Sequence, residues 1–338
     1  MSIPKGGITY LKPDLKICRI LNGMWQVSGA HGNIKKKEAI KSMGLFIDNG
    51  FITWDLADHY GPAEDYVKEF VDFRINSGLQ DTLNDVKFLT KWVPRPQKIT
   101  KRVVKDAVDI SRKRMGMETL DMVQFHWWNY QNDNYLKALE YLDELREENI
   151  IKYLGLTNFD AEHLEEILKM GINIVSNQVQ YSIIDTRPER LMAKVCKKYD
   201  LKLLVYGTLG GGLFSERYLN KLEPSGRQLY TASLYKYKDM IDRWGKWSLF
   251  QDLLQKLKNI AKKYNVSIAN VAVRYVLENP IVAGVIIGVR LGISEHIKEN
   301  LEVFNFALDD NDRDQINSVL KNSRDLMEII GDCGDEYR

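Results

Sequence analysis

The 338-residue chain is expected to fold as an α/β protein. The architecture predicted is a (β/α)8 TIM barrel of eight parallel strands, with a long loop after strand seven and a C-terminal helix and tail. Three observations predict it. Asp55, Lys91 and His126 each sit in or close a short apolar run, and they recur at steps of 36 and 35 residues. A strand, a crossover helix and a return loop take about that many residues. The runs are apolar almost throughout, as in strands buried on both faces of a parallel sheet, and segments of helical period separate them. Polar groups one unit apart at strand C-terminal ends would then meet at one mouth of a barrel, where catalytic groups of such folds collect.

The elements follow in order along the sequence. After a short lead-in, residues 17–25 read as strand one and its turn. Helix one is expected over 36–49, with Ala39, Met43, Leu45, Phe46 and Ile47 at roughly helical spacing. Strand two ends at Asp55, a helix covers 63–77, and strand three runs over 86–91. Thr100 is placed to cap helix three, 100–115. Strand four ends at His126, and helix four covers 134–147 with Leu136, Leu139 and Leu142 on its apolar side. Strand five spans 151–156, with Asp160 placed to cap helix five, and strand six spans 174–180 before a helix over 187–199. Strand seven covers 201–206. From Gly207 to about Tyr237 runs a glycine-rich, then tyrosine-rich excursion, of a length typical of functional loops. Helices at 247–264 and 267–278, strand eight at 282–287, a final βα unit through 295–304 and a helix over 309–322 complete the chain.

Composition narrows the function. Hydrophobic residues are 44% and charged residues 28%, the balance of a globular protein with a large core. The 48 basic and 46 acidic side chains nearly cancel, which argues against nucleic acid or an anionic membrane as partner. Cys18, Cys196 and Cys333 are odd in number and widely spaced, so neither a disulfide framework nor a metal site is expected. There is no low-complexity linker, so residues 1–338 are read as one domain. With no signal-like apolar segment at the start and no run of ~18 apolar residues, a cytoplasmic protein is expected.

Asp55-Leu-Ala-Asp-His-Tyr60-Gly61, with Lys91 and His126 one unit apart, resembles the aldo-keto reductase superfamily, and the resemblance covers essentially the whole chain. The segment 155–159 looks like that family's strand-five signature, Asn177-Gln178 like its strand-six amides, Tyr206 like its stacking aromatic and 286–300 like its cofactor-phosphate segment. The resemblance implies a barrel that binds NADP(H) without a Rossmann domain, and no GxGxxG follows a strand here.

The residues themselves support that chemistry. Reduction of a carbonyl needs a hydride that no side chain supplies, so a cofactor must carry it. Tyr60 fits as the general acid, because a phenol titrating near ~10 keeps its proton at neutral pH. Lys91 would favour the phenolate left behind, Asp55 would hold Lys91 by a charge-assisted hydrogen bond, and His126 would orient and help donate to the carbonyl oxygen. The resemblance implies the same four roles. Taken singly, each residue also has an ordinary reading as a helix cap, a rim charge or a core histidine. The shared register across three βα units favours the chemical one.

Asn158 and Gln178 suit the nicotinamide carboxamide, and Tyr206 could stack on the ring. Gly207, Leu209 and Gly212 belong to a loop whose glycines permit close backbone approach to a pyrophosphate. Gly23, Met24, Trp25 and Asp55 complete the expected cofactor wall. Arg290 suits the 2′-phosphate, Ser294 and His296 flank it, and by resemblance Glu299 and Asn300 contact adenine. Many family members carry Arg where this chain has His296, a weaker phosphate ligand at pH 7, so NAD(H) is carried beside NADP(H). Trp25, Trp92, Trp127 and Trp128 would form an aromatic substrate mouth, although strand-end alternation turns at least one of Trp127 and Trp128 away. The expected partner is a small carbonyl or alcohol; oligomeric state stays open. Two alternatives are carried: a cofactor-binding regulatory protein like the potassium-channel β subunits, and a Schiff-base aldolase using Lys91.

Overall fold

In a computed structural model, residues 3–29 and 34–338 are described; Met1 and Ser2 of the lead-in lie outside them. Eight strands close into a parallel barrel in the order β10-β3-β4-β5-β6-β7-β8-β9. They are β3 (Ile20–Gly23), β4 (Thr53–Asp55), β5 (Lys87–Trp92), β6 (Leu120–His126), β7 (Ile151–Thr157), β8 (Ile174–Gln180), β9 (Lys202–Tyr206) and β10 (Val282–Gly288). Between them run α1 (Lys36–Asp48), α2 (Ala63–Asn76), α3 (Lys101–Met115), α4 (Asn134–Glu147), α5 (Ala161–Lys169) and α6 (Leu191–Tyr199). After β9 come α7 (Ala232–Trp244), α8 (Lys246–Tyr264) and α9 (Ile268–Leu277). After β10 come α10 (Ile297–Glu302), α11 (Asp310–Leu320) and α12 (Leu326–Ile330). No helix among the described residues is long and apolar enough to cross a membrane.

Alternation along each strand divides the core. On β6, Val123 and Phe125 belong to the large apolar layer between strands and helices, whereas Met122, Gln124 and His126 meet residues of other strands. The caps act as the sequence predicts: Thr100 accepts from Val103 N, and Asp160 from His163 N.

Four segments differ from the sequence reading. The lead-in and the first part of the 17–25 run form an antiparallel hairpin, β1 (Ile8–Lys12) and β2 (Leu15–Cys18), so the first barrel strand starts only at Ile20. Leu11, Leu15 and Ile17 of the hairpin pack on Leu21, Leu89, Met122, Val175, Leu204 and Ala283 and plug the end of the barrel away from His126. The excursion after β9 does not stay loop to Tyr237, because Thr231 caps α7 by accepting from Leu234 N and Leu234, Tyr237, Met240, Ile241 and Trp244 bury one face. A Cβ on Gly211, whose φ is +65°, would come within 2.9 Å of Ser233 at the start of α7, so this turn suits glycine. The final βα unit has its helix, α10, but in place of a strand only a single bridge between Arg290 and Ser294.

Candidate active site

Strand register builds the site from below. Gly23 pairs with Asp55, Lys91 with Gln124, His126 with Thr157 and Thr157 with Gln178, so the C-terminal ends of neighbouring strands lie side by side. The loop after β4, which carries Tyr60, is stitched to β5: Leu56 N donates to Leu89 O, Asp58 N to Lys91 O and Val93 N to Asp58 Oδ2. Arg114 Nη1 adds a bond to Asp58 O.

Inside the mouth, Lys91 Nζ donates to Asp55 Oδ2 at 2.6 Å and to Leu56 O at 2.8 Å. Asp55 Oδ1 accepts from Gln178 Nε2 at 2.7 Å and Gln124 Nε2 at 3.0 Å, so both carboxylate oxygens are held. Burial pushes the Lys91 ammonium below its ordinary value, opposed by the pull of Asp55. Its Nζ lies 5.1 Å from the centre of the Tyr60 ring. Burial first, then the Asp55 charge, pushes the Tyr60 phenol well above its ordinary value, so it keeps its proton in the ligand-free site.

Burial also pushes the His126 imidazole down to about 4, leaving it neutral at neutral pH. Its Nδ1 lies 3.0 Å from Thr157 O, a contact that needs a proton on Nδ1. In that tautomer Nε2 carries a lone pair, so the resting imidazole accepts rather than donates. The other tautomer, with Nδ1 accepting from Asn158 Nδ2 at 3.5 Å, frees an Nε2 proton. Nε2 itself is buried and has no hydrogen-bond partner among the described residues.

These groups open into a cavity of about 520 Å³. Its wall includes Asp55, Tyr60, Lys91 and His126, together with Gly23, Trp25, Asn158, Gln178, Tyr206, Gly207, Leu209, Gly212, Arg290 and Trp128. Other expected residues lie elsewhere. Met24 is fully buried below the wall. Trp92 is packed against Phe125, and Trp127 is turned into the core with its Nε1 donating to Asn129 O and Asn132 O, so neither faces the cavity. Ser294, His296, Glu299 and Asn300 are outside it too; His296 and Glu299 are exposed and pair with each other, and Asn300 is buried. Asn177 donates to Phe159 O rather than facing the mouth.

Sequence reasoning passed over several participants. Gln124 stands two residues before His126 on one strand, so the period of two could have found it. The tail beyond α12 has no such signal. Glu336 accepts from Tyr206 OH at 3.2 Å and from Arg187 Nη2 at 3.0 Å, and Arg338 Nη2 donates to Trp127 O at 3.0 Å and Asn158 O at 2.8 Å. Tyr337 lines the cavity with its ring centre 6.4 Å from that of His126. Tyr206 OH also lies 2.8 Å from Asn158 Oδ1, which leaves the Asn158 amide nitrogen to donate elsewhere.

The wall suits a nicotinamide dinucleotide. The volume lies within the ~300–1,000 Å³ usual for ligand pockets. Three buried polar atoms of its lining, Gln26 Oε1, His126 Nε2 and Thr157 Oγ1, lack partners among the described residues. Gly212, at φ +101°, leaves open space where a Cβ would stand.

The parallel barrel carries its polar cluster in a cavity lined from the strand C-terminal ends, and comparison with known proteins makes the class definite. The Aldo/keto reductase family model matches residues 19–321, and the chain belongs to that family, which generally uses nicotinamide cofactors. The chain is 25% identical over 297 residues to the chloroplastic pyridoxal reductase of Arabidopsis thaliana, covering 84% of this chain and 76% of the relative. It is 24% identical over 320 residues to the glyoxal reductase of Bacillus subtilis (strain 168), covering 94% and 96%. The NADH-specific methylglyoxal reductase of Escherichia coli (strain K12) is 24% identical over 217 residues, covering 62% and 61%. In fold the chain resembles the glycerol dehydrogenase of Gluconobacter oxydans, with a TM-score of 0.74, 20% identity and 94% of each chain covered.

Proposed function

We propose that this protein reduces an aldehyde or ketone to an alcohol using NADP(H), with Tyr60 as the proton donor. The observation that carries the reading is the buried Lys91–Asp55 pair beneath the Tyr60 ring, in one cavity wall with the unpartnered Nε2 of His126. When bound, the cofactor supplies the hydride. Asn158 and Gln178 would hold its carboxamide, Tyr206 would back its ring, Gly207, Leu209 and Gly212 would take the pyrophosphate, and Arg290 the 2′-phosphate.

The chain's residues then manage the proton. Tyr60 O–H donates to the carbonyl oxygen as charge develops there, and the Lys91 ammonium stabilises the phenolate that remains. A carbonyl oxygen placed at His126 Nε2 favours the tautomer with a proton on that nitrogen, which gives up the Nδ1 bond to Thr157 O while Nδ1 takes the Asn158 amide. Arg290 is the one residue expected at the 2′-phosphate that lies on the cavity wall, and His296 is engaged with Glu299. We therefore expect only a modest preference for NADPH over NADH, about tenfold or less, or about 1.4 kcal/mol. The NADH-specific Escherichia coli relative fits a family in which that preference varies.

Tyr60→Phe is the test. It should lower kcat for carbonyl reduction by ~10²–10⁴-fold, the usual worth of a positioned acid. The dissociation constants of NADPH and NADH, read by tryptophan fluorescence, should stay within a few-fold. Retained turnover, or lost cofactor binding, would overturn the role given to Tyr60.

A further inference from the structure

We propose that Lys236 recognises an anionic group on the carbonyl substrate, so that the substrate is an oxo acid; this rests on the reductase reading above. Lys236 lies in the second turn of α7, half-buried, and lines the same cavity as His126. Its Nζ sits 4.0 Å from the ring centre of Tyr337, 5.2 Å from that of Tyr206 and 5.4 Å from that of Tyr237. Among the described residues its polar partner is the Tyr337 hydroxyl, and no carboxylate lies within 4 Å of it.

The contrast with Lys238, two residues on, is direct. That side chain is paired with Glu223 and with both oxygens of Asp242. For Lys236 the tail offers Glu336, but its oxygens are already taken by Arg187 Nη2 at 3.0 Å, Gly334 N at 2.9 Å and Tyr206 OH at 3.2 Å. Asp55, the carboxylate of the cavity wall, is held by Lys91, Gln124 and Gln178. The aromatic rings hold the ammonium in place without neutralising it. A positive charge thus stands in the cavity wall with no counter-ion among the described residues, a setting in which an incoming carboxylate forms a short charge-assisted hydrogen bond.

Position limits the length of the acid. Tyr337 neighbours both groups, its ring centre 4.0 Å from Lys236 Nζ and 6.4 Å from the His126 ring centre. Nζ and the imidazole centre are therefore no more than about 10 Å apart. Allowing ~3 Å for a hydrogen bond at each end leaves at most ~4–5 Å between the two oxygens, room for a short acid with no more than about two carbons between carbonyl and carboxylate. The substituent would run across the Tyr337 ring.

The experiment compares 4-oxobutanoate with its methyl ester, using NADPH and both the full-length chain and Lys236→Met. Methionine keeps the unbranched stem and removes the charge. The unaltered protein should favour the acid over the ester in kcat/KM by tenfold or more, and Lys236→Met should reduce that ratio by at least as much, chiefly through KM. The proposal fails if the unaltered protein shows no preference. It also fails if the substitution lowers both rates alike, which would make Lys236 a brace for Tyr337. A rise in the NADPH dissociation constant with an unchanged ratio would assign Lys236 to the cofactor phosphates and overturn it as well. Reduction of the ester without acid preference would leave the reductase reading standing, whereas reduction of neither compound would overturn both.

Discussion

Because burial holds the His126 imidazole down at about 4, its protonation is a cost that the fold bears and the unfolded chain does not. An unfolded histidine titrates near ~6.5. Between those values the unfolded chain binds more protons than the native one, so stability rises with pH across the window and is lost as pH falls from about 6.5 towards 4. The shift corresponds to up to about 3 kcal/mol, and the ring is nearly fully buried, so little of it is screened away. We therefore expect His126→Gln to flatten the acid limb of the stability profile. Urea denaturation at several pH values from 7 to 4 should show the unaltered protein losing stability faster than the variant. Parallel profiles would mean that His126 does not titrate as its surroundings imply. Tyr60 and Lys91 follow the same logic of burial. Their chemistry depends on groups that only the folded barrel brings together, since 36 residues separate Lys91 from Asp55.

At the scale of elements, the tail beyond α12 is the piece that completes the mouth, and one buried ion cluster fastens it. Arg187 pairs with Asp185 at 2.8 Å and with Glu336 at 3.0 Å, and it also donates to Asp332 O at 2.9 Å. Cys333 is buried in the same segment; burial pushes its thiol well above the ordinary value, with Asp332 and Asp185 adding to the effect. Glu336→Gln leaves Arg187 its bond to Asp185 but removes one charged partner, worth ~1.5–3 kcal/mol. Cys333 should then alkylate roughly 10–100 times faster, measured peptide by peptide in a mass spectrometer, while Cys18 and Cys196 stay protected. A Cys333 as slow as in the unaltered chain would show that the tail is held by other contacts. None of this was legible in the sequence, because the contact from Arg187 to Glu336 spans 149 residues and carries no local period. The barrel strands were legible because each is a run that must be apolar on at least one face. The β1–β2 hairpin was not, since β1 is half-exposed, with Tyr10 in the open, and lacks a clear alternation. The start of α7 was hidden by the glycines before it, although Thr231 followed by Leu234, Tyr237 and Ile241 carries a cap and a helical stripe.

For the whole molecule, the two ends of the barrel are closed by different parts of the chain, and both closures lie outside the segment matched by the family, residues 19–321. The hairpin plugs the end opposite His126 with apolar side chains, whereas the tail borders the mouth with Tyr337 and the Glu336 network. In barrels of this kind the C-terminal face carries chemistry and the opposite face carries stability. Disturbing each closure should therefore leave a different signature. Leu15 is fully buried against the barrel strands, so Leu15→Ala should cost ~2–5 kcal/mol, a large share of the ~5–15 kcal/mol that holds a typical protein folded. Its kcat and KM at a temperature where it remains folded should change by less than about twofold, because no hairpin side chain reaches the cavity wall. Tyr337→Ala, which leaves the Glu336 network in place, should do the reverse. KM for the carbonyl should rise by tenfold or more as the Tyr337 ring leaves the wall, with a smaller loss of stability than Leu15→Ala causes, because Tyr337 is partly exposed. Urea unfolding and steady-state kinetics on the two variants decide the matter together. If Leu15→Ala altered KM, or if Tyr337→Ala left it untouched, the two ends of the barrel would not be divided between stability and recognition.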